Sequence, residues 1–199
     1  MIKNPYLSII THTRNDNYAG GSEALFNSLR HTIKNLEDVQ IFSEIVLVDW
    51  NSPPENGTLQ TKLKHFLDSL KLIRKFVSIK LIVVPPRIHK TYRGWRERNI
   101  NAVAAVNVGI RRCNGRFIVI KSMDTFWSKG IYGIISKKKL KKEKIYRCVR
   151  KDYTLPSGFS LVSLKVEQYE DFLKEHIVHS HDRNLQTYRV KRKNTCIAD

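Results

Sequence analysis

Residues Phe117–Ser128 read FIVIKSMDTFWS. Four apolar residues run up to Lys121, and a single carboxylate, Asp124, follows shortly after them. A short apolar run of this kind is typical of a buried strand. Asp124 then has two interpretations: a loop aspartate that caps the next turn, or a carboxylate at the carboxyl edge of a sheet that handles a metal ion or a phosphate. The rest of the chain favours the second interpretation.

Short apolar strands alternate with amphipathic helices upstream of this stretch. Helices are predicted over 22–36, 58–74 and 99–112, because apolar residues recur there at helical spacing. Continuously apolar strands separated by helices predict a parallel sheet that is covered by helices on both faces. The predicted strands are Tyr6–Thr11, Ile45–Val48, Val77–Val84 and Phe117–Ile120.

The loops that follow these strands carry the polar residues of interest. In a parallel sheet of this type, ligands bind beyond the carboxyl ends of the strands. The loops at that edge read HTRNDNY, DWNSPP, RIHKTYRGWRER (the basic loop, residues 87–98) and KSMDT. Asp16, Asp49 and Asp124 belong to three of them, so we expect these carboxylates to share one edge of the sheet.

The pattern is weaker beyond Ser128. The segment GIYGIISKKKLKKEK has a helical pattern, KIYRCVRKDY and SGFSLVSLK predict short strands, and Val166–His176 predicts a last helix. We predict a single domain over residues 1–188, followed by a basic tail over residues 189–199. The block Lys137–Lys144, KKKLKKEK, is interpreted either as a solvated helix face or as a patch that contacts an anionic membrane or nucleic acid.

Composition limits the class of protein. The 199 residues are enough for one domain with its own core, and a hydrophobic content of 41% is typical of globular proteins. The formal net charge of +18 attracts nucleic acid, an anionic membrane surface or phosphate-bearing small molecules. No apolar run has the length of a membrane span, and the N-terminus does not have the pattern of a secretory signal. Three cysteines (Cys113, Cys148, Cys196) without CxxC spacing indicate reduced thiols and a cytoplasmic location.

Several common motifs are missing from the chain. AGGS, after the first strand, is neither a dinucleotide fingerprint nor a P-loop, and no G-x-S-x-G or HExxH motif occurs. The segment Asn107–Asp124, NVGIRRCNGRFIVIKSMD, instead resembles a segment of the family 2-type glycosyltransferases of GT-A fold that ends in a D-x-D or N-x-D motif. The matching positions are Asn107, Gly109, Ile110, Gly115, Phe117, Ile118 and, on the last aspartate, Asp124.

Three further segments resemble the same family. SIITHTRNDNY resembles its first strand and nucleotide loop, VDWNSPP its second-strand motif, and YRCVRKD a later arginine-containing strand. The four motifs occur in the family's order and cover about residues 6–152. The resemblance implies a Rossmann-like GT-A fold, which is a three-layer α/β/α sandwich with a mostly parallel central sheet.

The resemblance also implies an activity. An enzyme of this family transfers a sugar, with inversion, from a nucleotide-diphosphate-sugar donor to a hydroxyl of a glycan or lipid-linked saccharide, as in polysaccharide biosynthesis. It implies that Asp124 holds Mn²⁺ or Mg²⁺ on the donor diphosphate, with a late histidine, His179 or His181 in HIVHSHD, as a further ligand. Asp49 would hydrogen-bond the base or ribose. The other residues implied for nucleotide binding are Thr11, Thr13, Arg14, Asp16 and Asn107.

The chain departs from the family pattern at several positions. Ser122 stands where the metal motif has its first Asp or Asn, and Val106 stands where Arg or Lys is usual. Inversion needs a carboxylate base, and Glu170 and Asp171 in QYEDFLKE are the candidates. A catalytically inactive nucleotide-binding domain therefore remains an alternative.

The charge leaves a second alternative, a basic nucleic-acid-binding protein. The chain has no helix-turn-helix, RRM, KH or zinc-finger signature, so we expect no specific nucleic-acid partner. We expect a cytoplasmic protein that makes peripheral contact with the inner face of the membrane.

Overall fold

The computed structural model describes residues 4–16, 21–71, 73–148, 151–154, 164, 166–180 and 187–189. The chain divides into two compact units, an N-terminal unit, Met1–Ser136, and a C-terminal unit, Lys137–Asp199. The single domain over residues 1–188 with its basic tail stays a prediction.

Strands and helices alternate in the N-terminal unit, as the sequence predicts. All strand pairs are parallel, and the hydrogen-bonded order across the sheet is β3-β2-β1-β4. The predicted α/β fold with a parallel central sheet is thus confirmed for this unit. The strands are β1 (Leu7–Thr13), β2 (Ser43–Trp50), β3 (Val77–Val84) and β4 (Phe117–Ile120), and the helices are α1 (Gly21–Asp38), α2 (Leu59–Ser69), α3 (Pro86–His89), α4 (Ala102–Ile110) and α5 (Lys129–Ser136).

Helices cover both faces of the sheet. On one face, α1, α2 and α5 bury their apolar stripes against alternate residues of the strands; Leu29 of α1, Phe66 of α2 and Ile135 of α5 belong to this cluster. On the other face, α4 presents Ala104 and Ala105, which pack with a second set of strand residues. Small residues on α4 allow the helix to lie close to the sheet, and the unit is a three-layer sandwich.

Two helices begin at side-chain caps. Thr58 Oγ1 accepts a hydrogen bond from the Thr61 backbone N–H at 3.2 Å, and Asn101 Oδ1 accepts one from the Ala104 N–H at 3.0 Å. Such caps satisfy backbone donors that have no partner within the helix. The cap explains why α4 begins at Ala102 and not at Asn99. Helix α2 ends earlier than predicted, and Lys71, just beyond it, has a left-handed backbone with φ of 48°.

Strand β4 differs from its prediction. Its four apolar residues indicated a strand buried on both sides, but β4 lies at an edge of the sheet. Phe117 and Val119 pack on the α1 side, whereas Ile118 is 45% exposed and Ile120 is 60% exposed. A continuous apolar run does not distinguish an edge strand from a central one, because the difference depends on which strands pair.

A polar network joins the turn between α4 and β4 to the amino ends of β1 and β2. The buried carboxylate of Glu44 accepts hydrogen bonds from Ser8 Oγ at 2.6 Å and from the Asn114 backbone N–H. Ser8 Oγ in turn accepts from the Gly115 N–H at 2.7 Å. This turn therefore lies directly against β1, and a glycine at position 115 is what allows the approach.

The C-terminal unit contains short elements. Strands β5 and β8 form one antiparallel pair, and β6 and β7 form another. The predicted strand in SGFSLVSLK lies almost wholly outside the described residues. The described elements are β5 (Lys144–Tyr146), β6 (Lys151–Tyr153), α6 (Tyr169–Glu175), β7 (Ile177–Ser180) and β8 (Thr187–Arg189).

The lysine block is not the helix face that its composition suggested. Helix α5 ends at Ser136, and residues 137–143 form turns and irregular backbone with exposed lysines. Lysine is a good helix former, but lysines this close together repel one another, and the block has a single apolar residue, Leu140, so no stripe is available to hold a helix against a core. In the part of the chain that the structure describes, every helix is too short or too polar to cross a membrane.

Candidate functional site

The carboxyl ends of β1, β2 and β4 meet at one edge of the sheet. The chain leaves β1 toward β2 on one side, and β4 returns to the other side of β1. The crevice between β1 and β4 is therefore the topological switch point, which is where open parallel sheets bind ligands. Residues 14–16, 51–57 and 121–125 form the loops there, and they contain three of the predicted site residues, Arg14, Asp16 and Asp124.

The end of β1 contacts both neighbouring loops. Strand β1 extends to Thr13, so Thr11 and Thr13 are buried strand residues and not loop residues. Thr13 Oγ1 donates to Met123 Sδ at 3.2 Å, which joins β1 to the loop that carries Asp124. Arg14 donates from Nε to the Asn51 carbonyl at 2.8 Å and from Nη1 to Asp16 Oδ2 at 2.7 Å. Arg14 and Asp16 are thus held together beside the turn after β2.

Two buried polar atoms at this end of β1 have no hydrogen-bond partner among the described residues. They are Thr11 Oγ1 and His12 Nδ1. Burial lowers the pKa of His12, which favours the neutral ring. Buried polar atoms are nearly always satisfied in folded proteins, so exceptions mark places where a ligand or water completes the bonding. Thr11 was predicted from the sequence, and His12 was not.

Asp49 is the most buried carboxylate of the site, with 3% of its surface exposed. It is the penultimate residue of β2, and its Oδ1 accepts a hydrogen bond from Ser52 Oγ. Burial raises the pKa of Asp49, and the bond from Ser52 partly opposes that rise. A carboxylate with a raised pKa destabilises the folded state whenever it is ionised. The fold therefore maintains this charge at a cost in stability.

Hydrogen bonds of Asn15 and Ser52 join the β1 loop to the β2 loop. Ser52 Oγ accepts from the Asn15 backbone N–H at 2.8 Å, and Asn15 Nδ2 donates to the carbonyls of Asn56 and Gly57. Lys62 of α2 donates to Asn15 Oδ1 at 2.7 Å. Sequence reasoning missed Asn15 and Ser52; the only available signal was the run of turn-forming residues in WNSPPENG. The two loops form one rigid wall of the site.

Lys121 fastens the third loop. Its amine is buried and donates to Ser28 Oγ of α1, and Ser28 Oγ donates to the Thr125 carbonyl at 2.8 Å. This relay holds the backbone on both sides of Asp124, whose own side chain is exposed. Burial lowers the pKa of Lys121 to about 7, and the negative charge of Asp124 opposes the shift. Sequence reasoning did not identify this lysine, because a lysine at the end of a strand usually points to solvent.

Replacing Lys121 with methionine is expected to stabilise the protein most at low pH. The unfolded chain binds this proton more tightly than the folded chain, so wild-type stability rises with pH between about 7 and 10.5 and is lowest below that window. The advantage of Lys121→Met should shrink across the window, by up to about 1.4 kcal/mol per pH unit. Urea denaturation of both proteins from pH 6 to pH 10 measures it. The matched control is Lys64→Met, which removes an exposed lysine of α2 and should change the free energy of unfolding by less than about 0.5 kcal/mol.

The remaining predicted residues are not in these loops. Asn107 lies in the middle of α4 with an exposed side chain. Glu170 and Asp171 lie in the first turn of α6, in the C-terminal unit, and both pair with Lys174, at 3.4 Å and 3.2 Å. The hydrogen bond to Asp171, and next the hydrogen bond to Glu170, raise the pKa of Lys174. His181 lies outside the described residues, and the side chain of His179 is not described.

Comparisons with known proteins add little to this geometry. No protein-family model and no curated protein matches the chain. Among solved structures, the chain is similar to S. aureus TarS 1–349, a glycosyltransferase, with 13% sequence identity and a TM-score of 0.42. The similarity covers 66% of this chain and 31% of that one. The chain thus spans less than a third of the length of that structure, and a similarity of this size carries no argument about activity.

Proposed function

We propose that the chain is a GT-A-type glycosyltransferase of the family 2 kind. It would transfer a sugar from a nucleotide-diphosphate-sugar donor to a hydroxyl of a glycan or lipid-linked saccharide. The observation that carries the proposal is the convergence of Arg14, Asp16, Asp49 and the Asp124 loop at the switch point of the sheet. The same residues belong to the motifs that resemble the family in the sequence.

The wall of the site suits a nucleotide. In the proposal, Asp49 accepts a hydrogen bond from the base or ribose, and its stability cost is retained because the ligand needs a charged acceptor in a fixed position. Thr11 Oγ1 has no partner among the described residues and would gain one from the ligand. Arg14 and Thr13 would line the pocket beside the phosphates.

The residues present fit a divalent cation at Asp124. Magnesium is commonly held by one or two carboxylates together with substrate phosphates, and not by a cage of protein ligands. Asp124 is an exposed oxygen ligand at the open edge of the site. The described residues contain no cluster of three or more His, Cys, Asp or Glu that could hold a metal alone. When bound, Mn²⁺ or Mg²⁺ would neutralise the departing diphosphate, and His181 remains a proposed further ligand.

Transfer also needs a base on the protein that accepts the proton of the acceptor hydroxyl. The acceptor oxygen forms a bond to the anomeric carbon while the bond from that carbon to the diphosphate breaks, and the hydroxyl proton passes to a base. We propose Glu170 or Asp171 for that role. Both now serve as partners of Lys174, so a nucleotide-binding domain without transfer activity is the second candidate that the geometry supports.

Nucleotide binding is the test of this proposal. UDP, GDP or dTDP with Mn²⁺ should raise the melting temperature of the wild-type protein by several degrees at saturation, since a ligand at 100 times its Kd adds about 2.7 kcal/mol. Asp49→Asn should melt higher than wild type without nucleotide, because it removes a buried charge and keeps an acceptor for Ser52. Its affinity for the nucleotide should fall about tenfold or more, as expected when a charged hydrogen bond is lost.

The size of the stabilisation by Asp49→Asn depends on pH. A raised pKa means that wild-type stability falls as pH rises from the unfolded value through the folded value. The advantage of Asp49→Asn should therefore be present at neutral pH and absent below pH 3.8, where the carboxyl is protonated in both states. Asp68→Asn, on the exposed face of α2, is the control and should change neither property. If none of the three nucleotides stabilised the wild-type protein, with or without Mn²⁺, the proposal would be wrong.

A further inference from the structure

The basic loop (residues 87–98) concentrates positive charge at the carboxyl edge of the sheet. It contains five cations, Arg87, Lys90, Arg93, Arg96 and Arg98, against one carboxylate. All five side chains are exposed. Within the described parts of the chain, none of them forms an ion pair with a carboxylate. Like charges at this density repel one another, so the loop is expected to bind an anion.

The backbone of the basic loop is folded into successive turns. Thr91 N–H donates to the Ile88 carbonyl and Tyr92 N–H to the His89 carbonyl, both at 3.1 Å. Further on, Trp95 N–H donates to the Tyr92 carbonyl at 3.2 Å. Each of these bonds spans three residues, as in a 3₁₀ turn, and the left-handed backbone of Gly94, with φ of 74°, separates the turns before and after it.

One side of the basic loop is anchored in the core. His89 is 3% exposed, and its Nδ1 accepts from the indole N–H of the buried Trp50 at 2.9 Å. Because the indole only donates, the His89 proton lies on Nε2, which donates to the Trp95 carbonyl at 3.1 Å. The Tyr92 ring packs edge-on against Trp50, with centroids 5.6 Å apart. The buried His89 and the Trp95 carbonyl thus fix the loop from within, and the exposed Tyr92 covers the Trp50 ring from the surface.

The cations of the basic loop recur at a regular spacing. Arg87, Lys90, Arg93 and Arg96 follow one another every three residues. Lys90 Nζ lies 5.7 Å from the centre of the Trp95 ring, and the Arg96 guanidinium lies 4.7 Å from it. Asn51 Nδ2 donates to the Asn99 carbonyl at 2.9 Å, which joins the end of the basic loop to the β2 turn that also contacts Arg14. The charges are therefore presented by a fixed backbone beside the proposed donor site.

The chemistry of this surface selects a class of partner. Arginine binds phosphate oxygens through two parallel N–H donors, and repeated cations suit a polymer with repeated phosphates. Proteins that bind single-stranded nucleic acid add open aromatic rings on which the bases stack. Here the half-buried Trp95 ring is contacted by Lys90 and Arg96, and Tyr92, although 37% exposed, packs edge-on against Trp50. The surface favours a phosphate-bearing polymer whose repeats carry no bases.

We propose that the basic loop is the acceptor subsite of the transferase and binds a phosphate-bearing saccharide polymer. This inference rests on the proposed function, because only a transferase needs an acceptor beside the donor site. The proposed acceptor is a polyanion, and the charged side chains of a preformed loop recognise it.

The experiment measures binding of inorganic polyphosphate, in the presence of saturating nucleotide diphosphate so that the donor site is occupied. Arg87→Gln, Arg93→Gln and Arg98→Gln are combined in one variant, because these three side chains take no part in the ring contacts that anchor the loop. Affinity should fall about tenfold or more, and the slope of log affinity against log salt should decrease by about two to three. The control variant, Lys137→Gln/Lys139→Gln/Lys142→Gln, removes equal charge from the lysine block and should change affinity less than about threefold.

Three results would overturn the inference. Equal losses in the two variants would mean that binding follows net charge and not the loop. A failure of wild-type protein to bind polyphosphate would remove the subsite. A single-stranded oligonucleotide that binds more tightly than polyphosphate and depends more on the three arginines would identify a nucleic-acid surface instead.

Failure of the proposed function would look different. The loop variant should retain the full melting-temperature increase with nucleotide, since no ion pair or side-chain hydrogen bond among the described residues joins the three arginines to the β1, β2 or β4 loops. If nucleotide binds and polyphosphate does not, the acceptor subsite is wrong and the donor site stands. If polyphosphate binds through the loop and no nucleotide binds, the proposed function fails, and with it the assignment of the loop to an acceptor.

Discussion

Gly115→Ala is expected to lower the free energy of unfolding by about 4 kcal/mol, a large part of the stability of an ordinary domain. A β-carbon at this position would meet backbone atoms of β1, at 2.5 Å from Ser8 N and 2.8 Å from Leu7 C, as well as the Ser8 hydroxyl. Backbone in a central strand cannot move aside. The Glu44 network would be pushed apart, and a buried carboxylate would lose its donors. Urea denaturation followed by far-ultraviolet circular dichroism measures the loss.

The control for this change is another glycine. Gly133 lies in α5, and a β-carbon there would have nothing within 4 Å. Gly133→Ala should raise the free energy of unfolding by about 0.5–1 kcal/mol, because alanine has less backbone freedom to lose. Changes in the free energy of unfolding of opposite sign for Gly115→Ala and Gly133→Ala would establish that contact with β1 causes the loss of stability. A Gly115→Ala protein as stable as the wild type would contradict the close approach of the turn.

Asp124→Ala is expected to reduce release of nucleoside diphosphate from the matching donor sugar by about 100-fold or more. A group that stabilises developing charge on a leaving phosphate contributes about 3 kcal/mol or more to the barrier, and the proposal assigns that contribution to the cation held by Asp124. Because the side chain is exposed, the melting temperature should change little. Initial rates with saturating Mn²⁺ measure the loss of turnover, and the melting temperature measured separately shows that folding is unaffected.

The matched control for Asp124 is Asp38→Ala, at the end of α1, which removes an exposed carboxylate paired with Lys34. Its rate should equal that of the wild type. Unchanged turnover in Asp124→Ala, together with retained nucleotide stabilisation, would exclude Asp124 from the site and leave the fold assignment intact. A loss of turnover that excess Mn²⁺ partly restores in Asp124→Asn would support a role in holding the cation.

The strands and the longer helices of the N-terminal unit could be predicted because each depends on local pattern, whereas the short helix α3 lies where a loop was predicted. The apolar period of α1 and the runs IVLV and FIVI are visible without knowledge of the fold. The parallel order follows, since helices between strands allow few other arrangements. What depends on pairing was not visible: β4 lies at an edge, and Ile118 and Ile120 face outward.

The candidate site divides in the same way. The position of Asp49 and Asp124 at the carboxyl edge could be predicted, because strand ends of a parallel sheet share an edge. The relay from Lys121 through Ser28 to Thr125 could not, since it joins residues far apart in sequence. The anchoring of the basic loop by Trp50 and His89 is also nonlocal. Gly109 and Gly115 matched a family motif, and the structure gives them packing roles against Ile10 and Ser8.

The position of β1 at the centre of the sheet has a consequence for the order of folding. Its contact with β2 joins residues 36 apart, as in Ser8 and Glu44, whereas its contact with the chain beyond β4 joins residues 110 apart, as in Thr13 and Met123. Longer chain closures cost more entropy and form later. Pairing with β4 also extends over only Leu7–Ile10, against Leu7–Thr13 for β2. During synthesis, one edge of β1 therefore stays unpaired until β4 has left the ribosome. We expect the crevice between β1 and β4 to be the last part of the sheet to form.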